Sequence, residues 1–441
     1  MTTDIPFQHV PERAYRSSRR HFLKRFAGGM AAAGLLPAFG FTGSSSFSAR
    51  VAAWAPEAVR DEAFWQLVKD QFPLRPGLIL MNAANLCPSP YPISDAVFHF
   101  THDVDADASF QNRGKFSGLH EAALQALGRY MGADADEVVI TRNTSEGNNL
   151  VIAGLDLGAG DEVVLWDQNH PSNNVAWDVR AQRYGFTVKR VATPAAPQGP
   201  DDLIAPFAEV LTANTRVLSF SHVSNVSGVA LPAKALCAMA RERGILTLID
   251  GAQTFGVHQV NLHDLGCDFY TGSAHKWFLG PKEGGVLYVR RERAGDLWPS
   301  VVSVGWEQAR EQGARKFGTL GQRDDAMLVA VGKTVEFLET IGNAHIEARV
   351  RALAAALKAG VREHVPQAHF HTPLDPDLSG GVVIFGLPGV DLRAAFMPLY
   401  EKHHIGCAVM GGDEPFIRFC PHIYNTMDEV ERVVEVVKGM V

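Results

Sequence analysis

The sequence lacks the cysteine patterns of metal-bound or disulfide-stabilised proteins. Its 441 residues contain five cysteines, and no two of them form a CxxC pair. They are Cys87, Cys237, Cys267, Cys407 and Cys420. Zinc sites and disulfide frameworks both need characteristically spaced cysteines. We therefore expect no metal site and no disulfide scaffold, and we interpret the thiols as buried and reduced.

An excess of positive charge is also missing. The chain has 41 basic and 48 acidic residues, which give a formal net charge of -7 and a pI near 6.2. Because nucleic acids and anionic membranes attract basic surfaces, we expect neither as a partner. Hydrophobic residues make up 46% of the chain, enough for the cores of two globular domains. Small polar or anionic metabolites remain possible ligands of local sites.

The sequence also lacks a comfortable membrane span. The apolar stretch at residues 26–41 is short and rich in glycine and alanine. It follows four basic residues, Arg19, Arg20, Lys24 and Arg25, and precedes a serine-rich segment. This order of charge, apolar stretch and small residues is typical of a cleavable export signal.

The motif "SRRHFLK" at residues 18–24 resembles the twin-arginine translocation signal. The resemblance implies the twin-arginine translocation machinery as a partner. That route carries folded proteins, which suits a protein that acquires a cofactor before export. We predict residues 1–49 as the signal, with cleavage near residues 48–53 and a periplasmic mature protein. A basic N-terminal tail without an export role is the alternative interpretation.

The mature chain alternates strand and helix patterns. Short β-rich runs ("EVVIT", "EVVLW", "RVLSF", "LTLID" and "FYTGS") are separated by helical segments. This alternation predicts an α/β fold with a mostly parallel sheet between helices. The last quarter is helical and then turns to short strands, which predicts a smaller α+β domain. We predict an N-terminal segment at residues 50–75 that packs on the small domain, a large cofactor-binding domain at 76–319 and a small C-terminal domain at 320–441.

Polar residues follow four of the predicted strands where each strand ends. They are Thr144 and Ser145, His170, Asp250 with Gln253, and Ser273, His275 and Lys276. Taken singly, each has an ordinary explanation as a helix cap, a loop residue or a surface acid. Parallel strands, however, bring their carboxyl ends to one edge of a sheet, where ligands bind. An anion cradle, an imidazole, a carboxylate and a lysine together indicate a site for pyridoxal 5'-phosphate.

From "FWQLVKDQFPL" at residue 64 to the C-terminus, and most densely in "DGAQTFG" and "TGSAHKW", the sequence resembles the class V aminotransferase group of fold-type I enzymes. Within that group it is similar to the isopenicillin N epimerase-like and cysteine desulfurase-like branch. The resemblance implies that Lys276 binds the cofactor covalently and that its phosphate is held by Thr144, Ser145, Ser273 and His275. It further implies that His170 stacks on the cofactor ring, that Asp250 pairs with the ring nitrogen, and that Gln253 and Asn225 lie near the ring oxygen. Arg418 is implied to bind a substrate carboxylate.

Two departures from the family pattern affect these expectations. Relatives carry a threonine that reaches the phosphate of the neighbouring subunit; here that position is Gln322, and Thr319 lies three residues earlier. Either residue could serve, or neither. Cysteine desulfurases need a reactive cysteine on a mobile loop, whereas Cys407 lies in a strand-like apolar run close to Arg418. We interpret Cys407 as a buried structural thiol.

The resemblance implies a homodimeric enzyme acting on the amino group of an amino acid or of a residue in a peptide metabolite. Similar exported members tailor the peptide siderophore pyoverdine, so we expect an aminotransferase-like reaction of that kind. Epimerisation is the first alternative and carbon–sulfur elimination the second. Among candidates for a second proton donor, His222 is the best available and not a clear one, which favours transfer. A periplasmic binding protein without catalysis is the alternative from another class.

The export hypothesis predicts that the translocation machinery recognises Arg19 and Arg20 together. Changing Arg19 and Arg20 to lysine keeps the net charge but removes the guanidinium groups that the signal requires. We expect the precursor to remain in the cytoplasm, as measured by fractionation and immunoblotting. Mature protein in the periplasm of the double variant would show that another route, or no twin-arginine signal, is used.

Overall fold

The computed structural model describes residues 42–52 and 61–441. The predicted twin-arginine motif and its apolar stretch lie outside these ranges, and export stays a prediction. Within the described ranges, no helix combines the length and apolar character needed to cross a bilayer.

The chain forms thirteen strands and fifteen α-helices in the described ranges. The strands are β1 (Ile79–Leu80), β2 (Val138–Thr141), β3 (Glu162–Trp166), β4 (Thr187–Val191), β5 (Thr215–Ser221), β6 (Leu246–Asp250), β7 (Phe269–Ser273), β8 (Gly285–Val289), β9 (His369–Phe370), β10 (Val383–Gly386), β11 (Ile405–Gly406), β12 (Ala408–Met410) and β13 (Phe416–Phe419). The helices are α1 (Thr42–Ala52), α2 (Glu62–Lys69), α3 (Tyr91–Ala106), α4 (Phe110–Arg113), α5 (Lys115–Met131), α6 (Thr144–Gly154), α7 (Pro171–Tyr184), α8 (Pro200–Val210), α9 (Ala233–Glu242), α10 (Leu262–Leu265), α11 (Trp306–Ala309), α12 (Asp325–Ile341), α13 (Asn343–His364), α14 (Leu392–Glu401) and α15 (Met427–Lys438).

Seven strands form the main sheet in the order β4-β3-β5-β6-β7-β8-β2. All neighbours are parallel except β8, which runs antiparallel to both β7 and β2. Alternate residues of one strand enter different hydrophobic clusters: Val164 faces one cluster, while Val163 and Leu165 face the other. Both faces are therefore covered, as parallel sheets require. The predicted α/β fold with a mostly parallel seven-stranded sheet is confirmed.

The sequence did not reveal β4. Its residues are largely polar and only one of the five is buried, because β4 lies at the edge of the sheet. An edge strand has one neighbour, so it lacks the continuous apolar run of the central strands.

A second, antiparallel sheet in the order β12-β13-β10-β9 forms the smaller C-terminal domain. One face carries buried residues such as Phe385 and Ile417, which pack with apolar residues of α13 and α15. The opposite face carries Ile384, which belongs to the large hydrophobic cluster beneath the main sheet. The prediction of a smaller C-terminal domain is confirmed.

The N-terminal helix α2 contacts residues from the end of the chain. Glu62 accepts hydrogen bonds from the Arg349 guanidinium and from the backbone N–H of Met427 (3.2 Å). Lys69 forms an ion pair with Glu429. Helix α12 lies against α3 and α5. The domain boundary near residue 320 stays a prediction.

Gly256 permits a close approach between the loop after β6 and the turn after Lys276. Its φ is +95°, and a Cβ atom placed on it would lie 2.2 Å from the Cα of Phe278. The position therefore excludes side chains for both conformational and steric reasons.

We expect Gly256→Ala to destabilise the protein by about 3 kcal/mol, because left-handed strain and overpacking add together. Gly244 is the matched control, since its φ is +69° but no described atom lies within 4 Å of its Cβ position. Gly244→Ala should cost about 1 kcal/mol, from strain alone. Thermal unfolding followed by circular dichroism measures both variants. Equal losses would show that the close approach is unimportant.

Candidate active site

The anion cradle predicted at Thr144 is built from two strand ends. Asn143 follows β2 and caps α6 by accepting a hydrogen bond from the N–H of Glu146 (2.9 Å). Ser273 ends β7, and its hydroxyl lies 3.0 Å from the N–H and 2.6 Å from the hydroxyl of Thr144. The first turn of α6 thus presents backbone N–H groups beside two hydroxyls, an arrangement suited to phosphate.

His170 lies beside the cradle and is fixed by the start of α7. The backbone N–H of Ser172 donates to its Nδ1 (3.2 Å), and the Ser172 hydroxyl is 2.8 Å from the same atom. The Ser145 hydroxyl donates to that of Ser172 (3.3 Å), which links the imidazole to the cradle. Burial, with the nearby Lys276 charge, lowers the pKa of His170. The ring is therefore neutral at pH 7 and suited to stacking.

Asp250 ends β6 as a buried carboxylate with a donor at each oxygen. The Asn148 amide donates to its Oδ2 (2.9 Å), and the N–H of Ala252 donates to its Oδ1 (3.0 Å). The Thr271 hydroxyl in turn donates to the Asn148 amide oxygen (2.7 Å). Three elements, α6, β6 and β7, therefore hold the carboxylate in one orientation.

Lys276 lies in the turn after β7. Burial lowers its pKa, the charge of Asp250 opposes this shift, and the charge of Arg418 adds to it. Among the described residues its amine has no hydrogen-bond acceptor and no ion pair. A lowered pKa increases the fraction of neutral amine at a given pH, and only the neutral amine is a nucleophile.

The neighbouring His275 and Lys282 have different environments. Burial and the two lysine charges lower the pKa of His275 to about 4, and its buried Nδ1 has no partner among the described residues. Lys282, by contrast, donates to the carbonyl oxygen of Cys87 (2.8 Å) and to the hydroxyl of Ser89 (2.9 Å). Hydrogen bonds thus hold the Lys282 amine in a structural role, and Lys276 is the amine that remains available.

Gln253 and Asn225 lie in the walls of the site. The Gln253 amide donates to the carbonyl of Ala84 (3.1 Å) and accepts from the indole N–H of Trp277 (2.7 Å). One amide N–H is therefore left for the ring oxygen that the resemblance assigns to it. Asn225 is buried, and its backbone carbonyl accepts a hydrogen bond from Arg418 (3.1 Å).

Arg418 reaches the site from β13 of the smaller sheet. Its Nη1 donates to Asn225 and its Nη2 donates to the side-chain oxygen of Asn82 (3.2 Å). Its Nε is buried and lacks a partner in the described part of the chain. A buried guanidinium with unused donors fits a carboxylate ligand, because unpaired buried charge is unfavourable.

The other sequence candidates form no hydrogen bond with this group in the described ranges. Burial raises the pKa of Cys407 to about 12, so the residue is a buried neutral thiol, in line with the structural interpretation. Thr319 donates to the carbonyl of Lys316 (2.9 Å), and Gln322 accepts from Arg113 (2.5 Å). A contact of either residue with a second subunit stays a prediction.

Sequence reasoning missed Asn148, Thr271 and Asn82, which hold the charged groups in place. Asn148 follows Thr144 by four residues and so shares its helix face, a signal that could have placed it near the cradle. Thr271 precedes Ser273 by two residues in β7 and points to the same side of the sheet. Asn82 carries no such signal, because its partner Arg418 is 336 residues away.

Comparisons with known proteins show the family to which this chain belongs. The family model described as aminotransferase class-V matches residues 83–433. Isopenicillin N epimerase from Amycolatopsis lactamdurans is 32% identical over 396 residues, covering 85% of this chain and 98% of that protein. The probable cysteine desulfurase 2 of Mycobacterium leprae is 29% identical over 378 residues, which cover 75% of this chain and 86% of that protein.

Two solved structures share the fold. The cystine C–S lyase in complex with its product cysteine persulfide gives a TM-score of 0.76 at 23% identity, covering 84% of this chain and all of that one. The apo cysteine desulfurase from Thermococcus onnurineus NA1 gives a TM-score of 0.76 at 23% identity, and the match covers 88% of this chain and 98% of that one.

The different environments of the two lysines predict where the cofactor attaches. Borohydride reduction of the yellow protein should leave pyridoxyl label on the peptide that contains Lys276, because only this amine is free to form a reducible imine. Tryptic mass spectrometry reads the position. Lys276→Ala should remove the label, whereas Lys282→Ala, the matched control, should keep it. Label on Lys282 in the unaltered protein would overturn the assignment.

Proposed function

Because the chain belongs to the class V aminotransferase family and is therefore a pyridoxal 5'-phosphate-dependent enzyme, we propose that it acts on the amino group of an amino acid, or of a residue in a peptide metabolite, by an aminotransferase-like reaction. The observation that carries the proposal is the convergence of Lys276, Asp250 and Arg418, whose charges act on one another at the carboxyl edge of the main sheet.

The residues at this edge fit the cofactor. Thr144 and Ser273, with Ser145 and His275 beside them, would hold the phosphate, and the buried unpaired Nδ1 of His275 leaves a polar atom for it. His170 offers a flat neutral ring for stacking. When bound, the cofactor supplies an electron-accepting ring that stabilises negative charge at the substrate Cα.

Asp250 and Lys276 have separate tasks in this proposal. The fixed carboxylate of Asp250 would keep the ring nitrogen of the bound cofactor protonated, because an adjacent negative charge favours the protonated form. Burial lowers the pKa of Lys276, and its amine would serve first for covalent attachment and, once the substrate amine has replaced it, as the base that moves the Cα proton.

Arg418 would orient the substrate. Asn82 and Asn225 each occupy one of its nitrogens, so the plane of the guanidinium is fixed before the substrate arrives. A carboxylate bound to the remaining donors would then set which Cα bond lies perpendicular to the ring.

Transfer is favoured over epimerisation by the surroundings of His222. Burial lowers its pKa to about 3, so it is neutral at pH 7 and carries no proton to give from an imidazolium. The charges that act on it belong to His258 and Glu347, not to Lys276. His222 therefore does not provide the second acid that an epimerase needs on the opposite face.

Epimerisation remains the second candidate, since the chain is similar to isopenicillin N epimerases along almost their whole length. Carbon–sulfur elimination is the third candidate, and its cysteine desulfurase form has less support, because that form needs a reactive cysteine and burial raises the pKa of Cys407 to about 12. A binding protein without catalysis would need neither an available amine such as Lys276 nor a held carboxylate such as Asp250.

We also propose a homodimer. The segment 298–304 exposes several apolar side chains, among them Val304, which is 98% exposed. It borders a surface cavity of about 440 Å³ that Ser145 helps to line. Exposed apolar groups of this kind mark interaction surfaces, and a second copy of the chain is the partner that we propose for this one. A contact of Thr319 or Gln322 with the phosphate of that copy is proposed from the family resemblance.

The cellular role is proposed from the sequence motifs. An export signal read by the twin-arginine machinery would deliver the folded enzyme to the periplasm, where tailoring of a siderophore peptide is the proposed role. The residue 18–24 motif and the resemblance to exported family members support this part of the proposal.

Incubation with amino acids in deuterated water tests the reaction type. Transfer should yield a keto product and the pyridoxamine absorption, because the amino group stays on the cofactor. Product analysis by chiral chromatography and mass spectrometry separates the outcomes. An intact amine that has gained deuterium at Cα and lost its configuration would instead establish epimerisation and overturn transfer. Asp250→Asn is the matched variant, and near-normal turnover in it would contradict the role of that carboxylate.

A further inference from the structure

The first described helix, α1, docks on the body of the enzyme through one face. Phe47 is only 3% exposed, and Val51, about one helical turn later, packs partly buried against the large hydrophobic cluster. The residues between them, 48–50, are exposed. Because residues four apart lie on the same side of a helix, α1 buries an apolar side and leaves the other in water.

Phe47 completes an aromatic group in the core. Its ring stacks on that of Phe337 in α12, with centroids 5.3 Å apart and planes inclined by 19°. The ring of Phe337 in turn meets the ring of Phe72 edge-on at 6.2 Å, and both residues are buried. Without Phe47, one face of the Phe337 ring would be open to water, which is unfavourable for a large apolar group.

The same run of contacts continues to the candidate active site. The Phe72 ring lies 5.2 Å from the Tyr424 ring, and the Tyr424 hydroxyl lies 3.5 Å from Cys87 Sγ. The backbone N–H of Cys87 donates to the carbonyl of His275 (2.8 Å), the residue before Lys276. Buried side chains thus join α1 to the turn that carries Lys276.

This docking bears on where an export signal could be cut. The sequence predicts the signal as residues 1–49, with cleavage near 48–53, whereas α1 spans Thr42–Ala52. A protease needs an accessible segment that can open locally. Cleavage within 48–53 would cut through α1 or directly behind it and would remove Phe47 from the core that it helps to fill. The docked helix therefore disfavours this position.

A second sequence suited to cleavage lies just before α1. Signal peptides are cut after small residues in an A-x-A-like pattern, in which the first and third positions before the cut matter. Ala38 and Gly40 match this pattern at the end of the apolar stretch. Within residues 48–53 the nearest matches are Ser46 with Ser48 and Val51 with Ala53. The pattern permits all three cuts, and the position of α1 distinguishes them.

We propose that α1 belongs to the mature enzyme and that the export signal is removed before it, at the bond between Gly40 and Phe41. Water adds across this peptide bond, so the signal leaves with a new carboxylate on Gly40 and the enzyme begins with the amine of Phe41. The inference rests on the export part of the proposed function. It assigns α1 to the enzyme and not to the transport signal.

The N-terminus of the exported protein tests this directly. The full chain is produced in a bacterium that has the twin-arginine machinery, and the intact mass and N-terminal peptide of the periplasmic protein are measured. We expect Phe41 as the first residue. Another first residue would overturn the assigned bond, and one beyond Thr42 would also overturn the retention of α1. Full-length protein in the periplasm would overturn the cut alone, whereas full-length protein confined to the cytoplasm would overturn the cut and the proposed export together.

Leucine substitutions distinguish the candidate cuts. Gly40→Leu places a bulky side chain where the residue must be small, so the uncleaved precursor should become the main form in immunoblots. The matched control combines Ser48→Leu and Ala53→Leu, which block both cuts within residues 48–53. We expect the control to be processed like the unaltered chain. Normal processing of Gly40→Leu, or accumulated precursor in the control, would overturn the assigned bond.

Trypsin tests the docking of α1 independently of export. Arg50 is exposed, but cleavage after it requires α1 to open. In the full-length holoenzyme, Phe47→Ala should raise the rate of this cleavage by about tenfold or more, because losing a core aromatic side chain favours the open form. Phe47→Leu should give an intermediate rate, and Ser48→Ala, the exposed neighbour, should leave the rate unchanged. Mass spectrometry identifies the fragment that begins at Val51. Equal rates in Phe47→Ala and Ser48→Ala would overturn the docking, whatever the export experiments show.

Discussion

The site depends on holding the buried Asp250 carboxylate in one orientation. A carboxylate removed from water is unfavourable unless donors and an opposite charge compensate it. Asn148 and the N–H of Ala252 supply the donors, and the charge of Lys276 acts on it from the next strand. These groups come from α6, β6 and β7. The elements that hold the carboxylate therefore include those that form the anion cradle.

The two domains supply different residues to the site, one set for the reaction and one for substrate recognition. The main sheet presents Lys276 and Asp250, the groups that handle protons and charge at the reacting atoms. The smaller sheet presents Arg418, the proposed carboxylate-binding residue. Substitutions beside Arg418 in the smaller sheet should therefore alter which amino acid is accepted without touching the groups that break its bonds, a separation that allows one chemistry to serve many substrates.

Local patterns sufficed to predict the central strands and the residues that end them, because buried parallel strands are continuous apolar runs and their ends meet at one edge. They could not identify β4, whose edge position leaves it polar. They also could not show that Lys282 is held by Cys87 and Ser89 while Lys276 is free, since both lysines follow the same strand. Asn82 and Arg418 meet only through the tertiary fold, which no local pattern encodes.

Residues from early and late parts of the described chain contribute to the site. The site can therefore be completed only late in synthesis. Strand β1 pairs in parallel with β11, and Asn82 pairs with Cys420 beside it. During synthesis the ribosome delivers Lys276 and Asp250 long before Arg418. The long-range contacts of Asn82 with Arg418 and Cys420 therefore cannot form until β13 has left the ribosome tunnel. Capture of the cofactor in a closed site is consequently a post-translational event.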